Sequence, residues 1–406
     1  MGLGSMASRS PCSPMSGISA GAFPEHFLRQ DGKRTATANE RVVMDLLSRG
    51  GAASRADLAR LTGLAPHSIT RLVEPLLERG LLIESAPLAA GRGKPSAKLG
   101  LLGSAAFAVG LSVMTDAVSL VLLDLAGTVA AARTERMESV EIAPAMAQMR
   151  TMIATAIAEA GWEAAAMVGV GVGVTGYFIG DGARLNPPRL LDPWALVPLD
   201  TILNEALGAK VWIDNDGNVA AVGEAMLGQG RHIRDFAYLY FSAGFGGGVI
   251  AGGQPLRGRH GNAGEFASIL PSDWPPPNLE ELRRHFHESG RSYPNIHAMI
   301  TAFDPDHPAV DAWLDACIPS LDLVVSAIAA TIDPELIVLG GRLPESLAAR
   351  IMERLCFTNP DRRGHHRPVP KIAASSIQGD ATAIGAATLP LRGAFFVEPD
   401  PQPPGH

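Results

Sequence analysis

The sequence predicts an α/β protein of two similar lobes, preceded by a winged helix-turn-helix module. Three observations predict it. Between Thr37 and Leu102 a helix, a short helix, a glycine turn and a longer helix precede two short strands around a Gly/Pro loop. From Phe107 onward, strands come first as a meander and then alternate with helices. The second half, from FAYLYFSAG to DPELIVLGG, repeats that rhythm.

Length and composition bound the reading. A chain of 406 residues implies two or three domains, and 47% apolar against 18% charged residues is enough to build large cores. No run of about 18 uncharged apolar residues occurs, so no membrane-spanning helix is expected. The start, MGLGSMASRSPCSPMSG, lacks the apolar stretch of a secretory signal. Cys12, Cys317 and Cys356 lie far apart and form no CxxC, which predicts a reducing cytoplasm and no cysteine-rich zinc site. The net charge of −7 is unevenly spread: residues 33–98 carry 11 Lys/Arg against 6 Asp/Glu, a local +5 that leaves about −12 elsewhere. A basic module on an acidic body suggests that the module meets an anion, and nucleic acid is one candidate.

Residues 1–32 read as a tail, 33–102 as the module, 103–225 as a first lobe closed by 380–395, 226–379 as a second lobe, and 396–406 as a tail. In the module, Val42, Val43, Leu46 and Leu47 mark one face of a helix that Gly50-Gly51 ends. Ser54 with Asp57 three residues on is a capping-box variant, so a short helix starts there and stops at Gly63. A third helix follows with Pro66 in its first turn, and Pro75 should kink or restart it. His67, Ser68, Thr70 and Arg71 open that helix, and with Ser54 and Arg55 they form the candidate DNA-contacting set. Arg92 and Lys94 sit in the loop between the two short strands, as a wing would place them against phosphates. A packing module that binds no nucleic acid is the alternative.

In the body, MVGVGVGVTGYFIG reads as a buried strand ending in a glycine loop, and VWIDND as a strand that runs into the small-residue helix NVAAVGEAMLG. A helix is expected over about 144–160, and GDATAIGAATLPL reads as a closing helix. A carboxylate at a strand end can orient a hydroxyl and act as a general base, and a carboxamide can both donate and accept toward vicinal diols. Helix capping is the competing role for such residues.

GVGVTG, VWIDNDGN, FSAGFGGGVIAGG, GNAGEF and DPELIVLGG, in this order, resemble the ROK family of repressors, open reading frames and kinases acting on sugars. The resemblance covers about residues 36–392. It implies an actin-like, hexokinase-type body of two lobes, and SRADLARLTGLAPHSITRLVEPLLERGLL followed by GRGKP is similar to the family's repressor branch. It also implies sugar contact by Asn186, Asn215, Asp216, Glu265, Ser268 and Glu280. Asp216 stands at the position of the kinase base, Ser268 at that of a family histidine, and Glu280 at that of a glutamate closing the family's zinc loop.

Departures from the family pattern bear on activity. Gly110–Asp116 replaces the first phosphate loop without its initial Asp or paired glycines, and Ala243 replaces a hydroxyl in the second. The segment ILPSDWPPPNLEEL has no cysteine, so no zinc is expected, and His285 and His287 should be solvated. PSDWPPP should form a stiff loop, with Trp274 either stacking on a sugar or covering the core. The resulting expectation is a cytoplasmic sugar-responsive DNA-binding regulator, a repressor, with no catalytic residue, metal or cofactor. Its expected partners are operator DNA, a sugar effector and further copies of itself as a homodimer or homotetramer, with no membrane. The alternatives are an ATP-dependent sugar kinase with a fused DNA-binding domain, and a ligand-blind DNA-binding dimer.

Overall fold

In the computed structural model, which describes residues 35–85, 97–180, 183–360, 362–377 and 379–397, local capping sets the first elements. The Thr37 N–H donates to Glu40 at 2.8 Å and starts α1 (Ala38–Gly50). After β1 (Ala53–Ser54), the Ser54 hydroxyl accepts from the Asp57 N–H at 3.1 Å and the Asp57 carboxylate accepts from the Ser54 N–H at 3.2 Å. This reciprocal cap opens α2 (Arg55–Thr62), and Gly63 at φ 70° closes it. Next comes α3 (Pro66–Glu78), which runs through Pro75 without interruption. The expected restart does not occur. Pro75 lies in the last turn, where it removes one backbone hydrogen bond and the remaining bonds still hold: Leu81 N–H reaches Leu76 O at 2.9 Å. Strands β2 (Leu82–Glu84) and β3 (Lys98–Leu101) pair antiparallel, and β1 adds a third strand that the sequence did not suggest. This arrangement is compatible with a winged helix-turn-helix. Arg92, Lys94 and residues 1–32 lie outside the described residues.

The first sheet takes β4 (Phe107–Val113), β5 (Ala117–Asp124) and β6 (Val129–Arg136), then α4 (Ile142–Ala160) and β7 (Met167–Val174). A short ribbon of β8 (Tyr177–Phe178) and β9 (Leu185–Asn186) follows, then α5 (Leu199–Leu207), β10 (Val211–Asn215) and α6 (Asp216–Leu227). The second sheet takes β11 (Phe236–Phe241), β12 (Phe245–Ala251) and β13 (Gln254–Pro255), then α7 (Leu279–Glu288), α8 (Ile296–Thr301) and α9 (Pro308–Thr331). It is completed by β14 (Leu336–Gly341), α10 (Glu345–Arg354), β15 (Lys371–Ala374) and α11 (Ala381–Phe395).

Strand order is β10-β7-β4-β5-β6 in one sheet and β13-β12-β11-β14-β15 in the other. The two closing helices cross over. α6 follows the first sheet but packs on β11 and β12 of the second, and α11 follows the second but packs on β4 and β7 of the first. They meet each other at Gly223 and Gly385: a Cβ on Gly385 would lie 1.7 Å from Val219 O. Only glycine permits this approach.

One hydrophobic core joins the module to the first lobe. It runs from Val43, Met44 and Leu47 through Ala108, Val121 and Leu123 to Leu391 and Phe395. Phe396, expected in the terminal tail, is buried in it. The second lobe has its own core around Phe286, Trp313 and Phe241. α9 is apolar and long enough by composition to cross a bilayer, with a mean hydropathy of 1.5 over its best window. Here its Trp313, Leu314, Leu321 and Val324 are spent on that core.

Candidate functional site

Strands β7 and β10 lie side by side and parallel, with Asn215 opposite Val174. Their carboxyl ends therefore bring Thr175-Gly176 beside Asn215-Asp216, the end of a parallel sheet where ligands bind. The Thr175 hydroxyl donates to Asp216 Oδ2 at 2.6 Å, and the Gly217 N–H donates to Oδ1 at 2.9 Å. Asp216 is 5% exposed. Burial pushes its pKa up to about 6 against these hydrogen bonds, and the charge of Asp380 at the start of α11 adds to the rise. Glu265, on the other lobe, is half-buried and pushed up to about 7, first by burial and then by Asp216. Asp216 and Glu265 thus lie near enough to feel each other's charge, and a carboxyl of raised pKa can take a proton from a ligand hydroxyl or return it.

Asn215 is the cap of α6. Its Oδ1 accepts from Gly217 at 2.8 Å and Asn218 at 3.1 Å, and its Nδ2 donates to Gly176 O at 2.7 Å. One Nδ2 hydrogen remains for a ligand. Asp214 supports the turn by accepting from the Asn215 N–H at 2.9 Å, and it also pairs with Arg257 of the other lobe. Asn186 donates to Tyr177 Oη at 2.7 Å on the ribbon that leaves Gly176. Across the cleft, the Asn262 side chain accepts from Phe178 N at 2.8 Å and donates to Phe178 O at 2.9 Å.

Two expected site residues stand apart from this group. Ser268 is exposed on a single 3-10 turn (Phe266–Ile269) after Glu265. Glu280 opens α7 and pairs with Arg283 one turn on. Neither is hydrogen-bonded to the Asp216 group among the described residues. His285, expected in solvent, has only 14% of its side chain exposed and lies 3.6 Å from Glu281, because α7 packs on α9. His287 is exposed. The Pro271–Pro277 loop is tied to α9, where the Ser320 hydroxyl donates to Pro275 O at 3.0 Å. Trp274 on it is 38% exposed and does not cover the core.

The other mouth of the cleft holds contacts the sequence did not reveal. Asp116, in the β4–β5 turn, pairs with Arg342 at the end of β14 at 2.7 Å, with 12% and 10% of the side chains exposed. Asp116 also accepts from the His297 N–H at 2.8 Å. This pair spans the lobes between the β4–β5 turn and the end of β14. The β11–β12 turn is a plain hairpin with Ser242 N–H on Gly244 O at 3.0 Å. The glycines of β12 serve packing: a Cβ on Gly248 would lie 2.7 Å from the Ala221 side chain of α6.

On the module, His67, Thr70 and Arg71 are exposed along the start of α3 and Ser68 is half-buried. Ser54 and Arg55 do not belong with them. Ser54 is 7% exposed and spent on its cap, and Arg55 is held by Glu74 and Glu84.

Residues 109–276 match the ROK family. Among curated relatives, y4fQ of Sinorhizobium fredii is 28% identical over 88% of this chain and 92% of its own. The bifunctional enzyme NanE/NanK of Brucella melitensis is 34% identical over 54% of this chain and 42% of its own. The xylose repressor of Bacillus subtilis is 25% identical over 57% and 60%. A solved ROK family transcriptional regulator, a homologue of the Escherichia coli MLC protein, superposes with a TM-score of 0.64 at 19% identity, over 88% of this chain and 97% of that one. That likeness shows the fold, the actin/hexokinase-like two-lobed body of mixed sheets.

Proposed function

We propose that this chain, which carries a ROK family domain, is a sugar-responsive DNA-binding regulator whose body binds a monosaccharide or a derivative of one without phosphorylating it. Relatives of the family domain include both a xylose repressor and a glucokinase. One observation carries the choice: both cleft helices end on α1 of the module. α6 starts at Asp216, and the turn after it (Gln229–His232) brings the Arg231 guanidinium to Ser48 O at 2.9 Å and Arg49 O at 3.2 Å. α11 starts beside Asp216 at Asp380 and ends where Arg41 donates to Gly393 O at 2.9 Å and Phe396 O at 3.2 Å.

In this reading a sugar hydroxyl meets Asp216 and Glu265, with Asn215 and Asn186 at its side. Ligand closes the lobes about the α6–α11 crossing, and the helix ends re-aim α1 and with it α3. The shift is limited by the ligand's differential affinity for open and closed states. His67, Ser68, Thr70 and Arg71 read the groove, with Arg92 and Lys94 on the backbone. Paired half-sites call for a homodimer or homotetramer in the cytoplasm.

The kinase reading has its own support in Asp216, whose near-neutral carboxyl is a competent general base. Against it stand the departures from the family's phosphate loops, Gly110–Asp116 and Ala243, and the Asp116–Arg342 pair at the end of the first of these segments. The test is fluorescence anisotropy of the protein on DNA from upstream of its own gene, titrated with monosaccharides and sugar phosphates. One sugar should change the affinity, Arg71→Ala should lose the complex, and Asp216→Ala should keep DNA but lose the sugar effect. A normal sugar response in Asp216→Ala sinks the cleft assignment. ATP turnover that needs Asp216 favours the kinase.

A further inference from the structure

The body is acidic, yet one exposed segment of its second lobe is strongly basic. Residues 362–371 read RRGHHRPVPK, with four Lys/Arg and no Asp or Glu. Arg362 to Val369 are all exposed. Among the described residues, none of Arg362, Arg363, Arg367 and Lys371 is paired with a carboxylate.

This segment is a built arm. The Arg362 N–H donates to His365 O at 2.9 Å and the His365 N–H returns to Arg362 O at 3.1 Å. Arg363 at φ 60° and Gly364 at φ 78° make the tight turn between them, the left-handed pair of a hairpin tip. Asn359 staples the base: its Nδ2 donates to Arg367 O at 2.7 Å and its Oδ1 accepts from the Arg367 N–H at 3.2 Å. A left-handed arginine at the tip is a conformation that Asn or Gly would hold more easily.

The arm leaves the end of the second sheet that meets the DNA-binding module. Lys371 starts β15 opposite Leu336, and Leu336 lies opposite Phe236 at the start of β11. Just before Phe236 comes the Arg231 turn that grips α1, and a Cβ on Gly253 would lie 3.6 Å from the Arg49 side chain. An acidic body repels DNA, and a cationic arm at this end offsets that repulsion.

We propose that the Arg362–Arg367 hairpin is a second nucleic-acid contact, which grips the phosphate backbone of duplex DNA flanking the segment read by α3. It takes phosphates and not bases, so it adds affinity and salt dependence without sequence preference. The proposal rests on the DNA-binding reading of the module.

The test uses the full chain and fluorescein-labelled random-sequence duplexes of about 20 and about 60 base pairs, titrated from about 50 to 200 mM salt. The variant is Arg362→Gln/Arg363→Asn/Arg367→Gln, with Arg363→Asn alone as a second variant that keeps the stapled base. On the longer duplex the triple variant should flatten the slope of log affinity against log salt by about 2 to 3, since each lost phosphate contact removes about 0.9. Arg363→Asn should remove about one unit, and the shorter duplex should respond less to either. An unchanged slope and affinity in both variants, with Arg71→Ala still weakening binding, overturns the arm alone and leaves an acidic protein surface as its partner. Failure of the unmodified chain to bind either duplex overturns the arm and the regulator reading together.

Discussion

In the first lobe the strands run β10-β7-β4-β5-β6, and in the second the matching order is β15-β14-β11-β12-β13, with the same parallel and antiparallel pairings. The matching strand ends carry different groups. β10 ends in Asn215 and Asp216, which face the cleft. β15 is followed by Ser375, whose hydroxyl donates to the fully buried Glu224 at 2.6 Å and so holds α6 in place. One end of the repeated topology faces the candidate ligand and the other braces the helix that leaves it. The first lobe also shares its core with the module, and the second does not. A duplicated fold therefore fixes where groups can stand, and the residues at its strand ends decide what each half does.

The comparison can be broken at its seam. Gly385→Val puts a side chain into the backbone of α6, where a Cβ alone would come within 1.7 Å of Val219 O. It should cost about 3 kcal/mol or more in urea unfolding, or prevent folding. Gly244→Ala, in the open β11–β12 turn where nothing lies within 4 Å, should cost far less. Equal losses would mean the crossing is not the tight point.

The cleft carboxyls sharpen the comparison next. Asp216 and Glu265 keep their protons in the fold up to about pH 6 and about pH 7, whereas the unfolded chain releases them near pH 4. The folded chain binds more protons in that window, so stability falls as pH rises through it. For buried Asp216 the fall is about 3 kcal/mol. Asp216→Asn should therefore gain on the natural chain by about that much between pH 4 and pH 8, read from melting curves, while losing its ligand response. A pH-independent difference would show that Asp216 is not held protonated. Removing one partner of the lobe-spanning pair, by Arg342→Ala, should cost about 2 kcal/mol, because Asp116 is left nearly buried with only the His297 N–H. Full stability in that variant would mean the lobes do not rest on this contact. The smallest stability effect belongs to Arg71→Ala, within about 0.5 kcal/mol because the side chain is exposed, even as DNA binding is lost.

Local signals were readable along the chain. Ser54 and Asp57 announced the α2 cap, the segments flanking the Gly/Pro loop announced two strands, and VWIDND announced a strand running into α6. Long-range meetings were not readable. Thr175 reaches Asp216 across 41 residues, and Arg342 reaches Asp116 across 226. Neither neighbour carries a mark of the other, although Thr175 ending GVGVTG is the kind of strand-end hydroxyl that could have been suspected. The same holds for Ser54 and Arg55: the bonds of Ser54 to Asp57 and of Arg55 to Glu74 and Glu84 are not marked by residue type. Ser268 and Glu280 come from family positions, and neither is hydrogen-bonded to the Asp216 group among the described residues.

The core that runs without a break from Val43 to Phe395 has a consequence for how the chain comes apart. Removing the head strips Val121, Leu123 and Phe395 of their cover. The head, the first lobe and the final helix should melt as one cooperative unit, and a truncated body lacking residues before Phe107 should aggregate rather than stand alone.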